Sequence, residues 1–197
     1  PSLVKDFLGV DLGITNIAVD SEGQEFSGGT VKGLRYRNAR LRGTLQAKGT
    51  KSAKRLLKKR RRKESRFARH ENHCISKKLV AKAKDTGRGI ALEDLKGIRT
   101  RTTVRKAQRR IQHSWSFFQL RAFIEYKARL AGVPVVLVDP RNTSRTCPAC
   151  GCVDKANRPT QSLFLCVKCS YSANADFNAA ENIRRAAVNR PYADVAD

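Results

Sequence analysis

"DFLGVDLGITNIAVDSEGQEF", residues 6–26, decides the fold class. Leu8, Val10 and Leu12 alternate with Gly9, Asp11 and Gly13. "NIAVD" follows as a second apolar run and "DSEG" as a turn signal. Alternation at period two, broken by turn residues, predicts two or three short strands in an antiparallel meander. "GIALEDL", 89–95, is a short apolar run that predicts a buried strand ending in Glu93 and Asp94. In residues 114–131, Phe117, Leu120, Ile124, Ala128 and Ala131 recur at helical spacing, with Ser114 available as cap and Gly132 as stop. "VPVVLVD" is apolar throughout, as central parallel strands are, and predicts a fully buried strand. A final helix over 175–188 would pack through Ala179, Ala180, Ile183, Ala186 and Ala187. Meander, helix, strand and helix make a mixed α/β domain.

The chain has 197 residues, with 41 Lys+Arg against 17 Asp+Glu and a net charge of +24. Its length suits one domain with a small appendage. It starts at Pro1 and contains no Met, and is read as a piece of a longer chain. So strong a positive field favours nucleic acid over a membrane. The longest clean apolar run, "VPVVLV", falls far short of the ~20 residues that span a bilayer, and no signal segment opens the chain. A soluble, intracellular protein is expected.

Most of the charge lies between Arg35 and Arg88, where 21 Lys/Arg meet only Glu64, Glu71 and Asp85. Leu41, Leu45, Leu56, Leu57, Phe67, Ile75 and Leu79 punctuate that run, so it predicts a helical hairpin projecting from the core rather than a tail. Lys54, Arg55, Lys58, Lys59, Arg60, Arg61, Arg62 and Lys63 form its densest part. Such an arm would follow phosphates without reading bases.

Four of six cysteines fall in "CPAC" (Cys147, Cys150) and "CVKC" (Cys166, Cys169), with 15 residues between the pairs. Each knuckle presents two thiolates from one turn, and Gly151 supplies a position tolerant of positive φ. Two knuckles complete a tetrahedral zinc site, closed and therefore structural. Cys74 and Cys152 are read as ordinary residues. Three acids stand far apart in sequence: Asp11 on the first strand, Glu93 at the end of a later one, and Asp176 at the start of the last helix. In the layout above they can converge at one sheet edge, where their repulsion would require cations, Mg²⁺ by preference. Two such ions ~3.5–4 Å apart would activate water and stabilise the leaving oxygen in phosphodiester cleavage. Asp20, Asp94 and Asp139 are strand-end acids of the same kind, and the residues alone do not choose among them.

The segments "GVDLGITNIAVDSEG", "IALEDLKGI", "NTSRTCPACG" and "CVKCSYSANADFNAAENI" resemble, in order, motifs of the nuclease half of the TnpB (OrfB) family, transposon-encoded RNA-guided DNA endonucleases related to type V CRISPR effectors. The resemblance runs from Phe7 to Ile183. It implies a RuvC-type, RNase H-like mixed sheet flanked by helices, with a zinc ribbon inserted before the third catalytic motif. Residues 1–142 would be the first part of the core, carrying the basic arm at 34–88; 143–172 would be the ribbon and 173–197 the second part. It also implies an acidic triad of Asp11, Glu93 and Asp176 holding two Mg²⁺ or Mn²⁺ ions, one structural Zn²⁺, and DNA and guide RNA as partners. A single DNA strand would enter the active site.

Strand alternation lets only one of Glu93 and Asp94 face that site. Arg145 and, in the loop "KGIRTRTTVRKAQRR" at 96–110, Arg105, Arg109 and Arg110 would join the arm in holding nucleic acid. That loop could act as a lid. Family members carry an N-terminal targeting portion to which nothing here corresponds. The implied setting is the nucleoid of a prokaryotic cytoplasm. Two other readings stand beside the endonuclease: a catalytically silent nucleic-acid-binding zinc-ribbon module or regulator, and a ribosome-associated zinc protein, which gives the three acids no role.

Overall fold

The computed structural model describes residues 4–95 and 117–189. The opening meander is there as β1 (Phe7–Asp11), β2 (Asn16–Asp20) and β3 (Glu25–Ser27). Helices α1 (Gly29–Lys48) and α2 (Lys51–Asp85) follow, then β4 (Gly89–Glu93), α3 (Phe117–Ala131) and β5 (Val135–Val138). A short hairpin of β6 (Leu163–Leu165) and β7 (Ser172–Asn174) leads into α4 (Ala175–Val188). The five-stranded sheet runs β3-β2-β1-β4-β5. Its first two pairings are antiparallel and its last two parallel. This mixed, helix-flanked sheet is the RNase H-like arrangement implied by the resemblance.

β1 lies at the centre, and both its faces are covered. Leu8 and Val10 pack with Ile90 and Leu92 of β4 against Ile75 and Leu79 of α2 and Leu120 and Ile124 of α3. On the other face Phe7, Ala91 and Val138 meet Ile183 and Ala187 of α4. Each fully buried aliphatic side chain contributes ~1.5–3 kcal/mol relative to exposure. α4 lies very close to β1 because Gly9 has no side chain. A Cβ there would collide with the Ala180 carbonyl oxygen and sit 2.6 Å from the Arg184 backbone nitrogen. Overpacking of this kind costs ~1–3 kcal/mol, so Gly9→Ala is expected to lower the melting temperature by roughly 3–10 °C. A thermal melt checks this, and an unchanged midpoint would mean that α4 has room to shift.

The basic arm is only half an arm. Gly49, at φ 62°, caps α1, and the Thr50 hydroxyl accepts from Ala53 N at 3.2 Å to start α2. The two helices pair antiparallel, with Glu64 meeting Arg42 at 3.0 Å and Arg35 at 3.8 Å. Beyond that pairing α2 enters the core through Ile75, Leu79, Val80 and Ala83. The second half of α2 is therefore a core helix and not part of a projecting arm. Its end is tied down by Lys82, which reaches the fully buried Asp20 at 2.5 Å and Glu22 at 2.8 Å. Asp20 is thereby a structural acid of the β2–β3 turn.

"VPVVLVD" forms β5, parallel to β4 as read, but at the sheet edge rather than inside it. Val135, Val136 and Leu137 are consequently half-buried and only Val138 is buried. The helix expected over 114–131 is described from Phe117, with Gly132 closing it at φ 71°. Ser114 and the loop 96–110, with Arg105, Arg109 and Arg110, lie outside the described residues. Among the described residues no helix is long and apolar enough to cross a membrane.

Candidate active site and metal centre

The parallel strands β1 and β4 end side by side, which places Asp11 and Glu93 at one edge of the sheet. α4 crosses behind β1 and brings Asp176, in its first turn, to the same place. The three acids line one cleft of about 820 Å³ together with Asn16, Thr143 and Arg158. The backbone start of α4 is capped by Asn174, whose side-chain oxygen accepts from Asp176 N at 2.8 Å and Phe177 N at 3.2 Å. A carboxylate in this first turn also lies at the positive end of the helix dipole.

The acids strain one another electrostatically. The Asp11 carboxyl is pushed up from 3.8 to about 8, first by burial and then by the charges of Glu93 and Asp176. Glu93 is also raised, chiefly by burial, against the hydrogen bond it accepts from the Thr143 hydroxyl at 2.5 Å. Asn16 donates to Asp176 at 3.3 Å. Half-buried carboxylates gathered in one cleft are the donor set a hard divalent cation suits. Asp94, one residue on, turns to an ion pair with Arg121 at 3.0 Å. Asp139 caps the Arg141 backbone.

Arg158 was not foreseen. It is the one basic side chain lining the cleft among the described residues, 3.6 Å from Asp176 in an ion pair, and its charge opposes the upward shifts of Asp11 and Glu93. It comes from the ribbon, in "NRPT", which reads from sequence as a turn and nothing more. Thr143, Asn16 and Asn182 were missed likewise. Asn182 donates to the carbonyls of Thr143 at 2.8 Å and Thr146 at 2.7 Å, fixing the segment that carries Thr143. The "NAAEN" spacing puts Asn178 and Asn182 on one face of α4, a polar pair that could have been noticed.

The ribbon gathers Cys147, Cys150, Cys166 and Cys169, whose sulfurs all lie within 4.8 Å of one another. Gly151, at φ 73°, turns the first knuckle as expected. Burial alone would raise the Cys166 thiol, but N–H donors of Cys169 and Lys168 and its sulfur neighbours bring it down to about 6. Against the N–H of Tyr171, Cys169 is pushed the other way, up to about 12, by its sulfur neighbours and burial, and it is the gathering of four sulfurs that fits a zinc site. The buried Asn157 joins the knuckles, donating to the carbonyls of Arg145 and Cys152 and accepting from Val167 N. Arg185 of α4 donates to the Pro148 carbonyl inside the first knuckle. Cys74 is exposed on α2, and Cys152 lies beside the cluster.

The arm residues Lys54, Arg55, Lys58, Lys59, Arg60, Arg61, Arg62 and Lys63 are all exposed, as is Arg145. None of them lines the acid cleft.

Comparison with known proteins agrees with this fold. The Cas12f1-like TNB domain family matches residues 117–183. A CRISPR-associated endodeoxyribonuclease Cas12f2 from a Micrarchaeota archaeon is 32% identical over 92% of this chain and 37% of its own length. A Cas12f1 from Sulfoacidibacillus thermotolerans is 40% identical over 62% of this chain and 28% of its own. A TnpB-like protein from Methanocaldococcus jannaschii is 37% identical over 66% and 46%. The chain thus spans less than half the length of these relatives. Among solved structures, a Cas12f1–sgRNA–target DNA complex superposes with TM-score 0.72 at 20% identity, covering 91% of this chain and 49% of that one. A CRISPR-Cas12f ternary complex gives 0.71 at 21%, covering 93% and 40%. In sequence and in fold the chain is similar to TnpB-like and Cas12f proteins over most of its length.

Proposed function

We propose that the chain is the nuclease half of an RNA-guided DNA endonuclease, hydrolysing phosphodiesters with Asp11, Glu93 and Asp176. The observation that carries this is their convergence on one cleft, where the Asp11 carboxyl is pushed up to about 8 and ionises fully at neutral pH only when positive charge joins it. Mg²⁺ or Mn²⁺, when bound, supplies that charge and an activated water. The rest falls to the chain. β1, β4 and α4 hold the carboxylates, while Thr143 and Asn16 orient Glu93 and Asp176. Arg158 offers a guanidinium to a phosphate oxygen once Asp176 has another partner. The four cysteines hold Zn²⁺ for structure only. DNA is the substrate strand and RNA the guide, in keeping with the sgRNA and target DNA bound by the Cas12f1 of the solved complex.

The test is degradation of labelled single-stranded DNA by this chain, with and without Mg²⁺, beside Glu93→Gln. Slow nicking without sequence choice is expected, lost in Glu93→Gln and without metal, because targeting in such systems rests on guide pairing. DNA binding with no cleavage under Mg²⁺ or Mn²⁺ would make the chain a binding module instead.

A further inference from the structure

The exposed side of α2 is more ordered than its composition suggests. Arg55, Lys58, Arg62, Arg66, Arg69 and His73 recur at steps of three or four residues, so they share one face of the helix over about 27 Å. The first five are exposed and His73 is half-buried. This stripe does not fade into solvent. It ends on an aromatic cluster contributed by both helices. The rings of His73 and Phe123 stack at 3.9 Å and 20°, and Tyr126 meets Phe123 edge-on at 5.9 Å. Arg69 lies 5.9 Å from the Phe123 ring, and Lys127 lies 5.9 Å from both the Phe123 and Tyr126 rings. Tyr126 is 41% exposed.

Packing does not account for the cluster. The core contacts of α3 are made by Leu120, Ile124 and Ala128. Lys127 is held in the seam, donating to the His73 carbonyl and the Ser76 hydroxyl, each at 2.7 Å. Its charge is therefore fixed beside the rings. Phosphate-following cations that lead to an aromatic face with cations at its rim are the composition of a single-strand binding site, in which bases stack on the rings.

We infer that the α2 stripe holds a single strand of RNA by its phosphates and that an unpaired base stacks on the His73–Phe123–Tyr126 cluster. This rests on the nucleic-acid reading above and adds a base-contacting site to an arm expected to touch phosphates alone. RNA is chosen over DNA because stripe and cluster lie on the side of the sheet opposite α4 and none of their residues lines the acid cleft. A strand held there is kept, not cut.

The experiment measures binding of a 12-nucleotide oligouridylate and a matched strand of abasic spacers to the full chain across a salt series. The parent is expected to bind the base-bearing RNA about 5- to 100-fold more tightly. Tyr126→Ala, an exposed position, should reduce that ratio several-fold and leave the salt slope unchanged. His73→Ala combined with it should bring the ratio close to one, with melting temperature confirming the fold. Arg62→Gln with Arg66→Gln should do the converse, lowering the slope by ~0.7 per lost contact and sparing the ratio. Equal affinity of the parent for both strands, or a ratio that survives in the Tyr126 variant, would overturn the base site alone. Absence of salt-dependent binding would overturn the nucleic-acid reading as well. An equal or larger base preference on the matching oligodeoxynucleotide would overturn the choice of RNA. Self-association abolished by Tyr126→Ala, without base preference, would assign the cluster to a second copy of the chain.

Discussion

Asp11→Asn is expected to end metal-dependent cleavage and, in the same protein, to raise the melting temperature. The folded chain holds a proton on Asp11 up to about pH 8, whereas an ordinary aspartate loses it near 3.8. Between those values the folded state binds more protons than the unfolded one, so this group's contribution to stability falls as pH rises. Asparagine keeps the shape and removes the ionisation. With zinc supplied but no other divalent cation, the variant should melt at the parental temperature near pH 4 and roughly 3–10 °C higher at pH 8. Added Mg²⁺ or Mn²⁺ should reverse the order, stabilising the parent and leaving the variant unmoved. Paired melts across pH, with and without Mn²⁺, together with a cleavage assay, check this. A variant that cuts at the parental rate would remove Asp11 from the chemistry. A melting difference that does not grow with pH would mean that the carboxyl is not under the strain described.

Loss of zinc should be as severe, by another route. Cys169→Ser takes one sulfur from the four-cysteine cluster, and only six residues separate Cys169 from Asp176. Between them β7 pairs with β6, and Asn174 caps α4. A loosened second knuckle therefore frees the strand, the cap and the first turn of α4 in sequence. Because metal-binding free energy in such a cluster is largely folding free energy, zinc content should drop from one per chain to near zero and the melting temperature should fall. Cleavage should vanish, since a displacement of ~1 Å can cost ~100-fold in rate. Asp176→Ala is the comparison: it should lose cleavage equally while keeping zinc and the fold. A Cys169→Ser protein without zinc that still cuts normally would separate the ribbon from the active site.

What could be read from sequence was whatever local periodicity or spacing encodes. The alternation of Leu8 and Val10, the small face of α4 and the paired C-x-x-C knuckles each state their structure within a few residues. Long-range geometry left weaker marks. The apolar run of β5 carries no sign of whether a strand lies inside a sheet or at its edge, since that depends on which strands lie next to it. In α2 the core residues Ile75, Leu79 and Ala83 are outnumbered by cations, and the arm hid the core helix. The resemblance singled out Asp11, Glu93 and Asp176, since the layout alone left Asp20, Asp94 and Asp139 as their equals. Arg158 and Thr143 reach the sheet edge that carries the acids through a ribbon closed over Asn157, Asn178 and Asn182, and no spacing rule anticipates a hydrogen bond across 32 to 50 residues. Gly9 did carry a sign, for a glycine inside a buried strand marks close backbone approach.

The dual nature of α2 limits how the protein can be made smaller. Cutting out the whole basic segment would remove Ile75, Leu79 and Val80, and one face of the sheet would keep only α3 as its cover. Shortening from the tip is another matter. Removal of matched single turns, roughly three or four residues each, from α1 and α2 keeps the remaining faces of both rods nearly in phase. Glu64 then still meets Arg35 and Arg42, provided the cuts fall between those contacts and the Gly49–Thr50 bend. Deletions far from whole turns rotate the outer rod segment against its partner, and a compact variant of this scaffold has to be counted in turns.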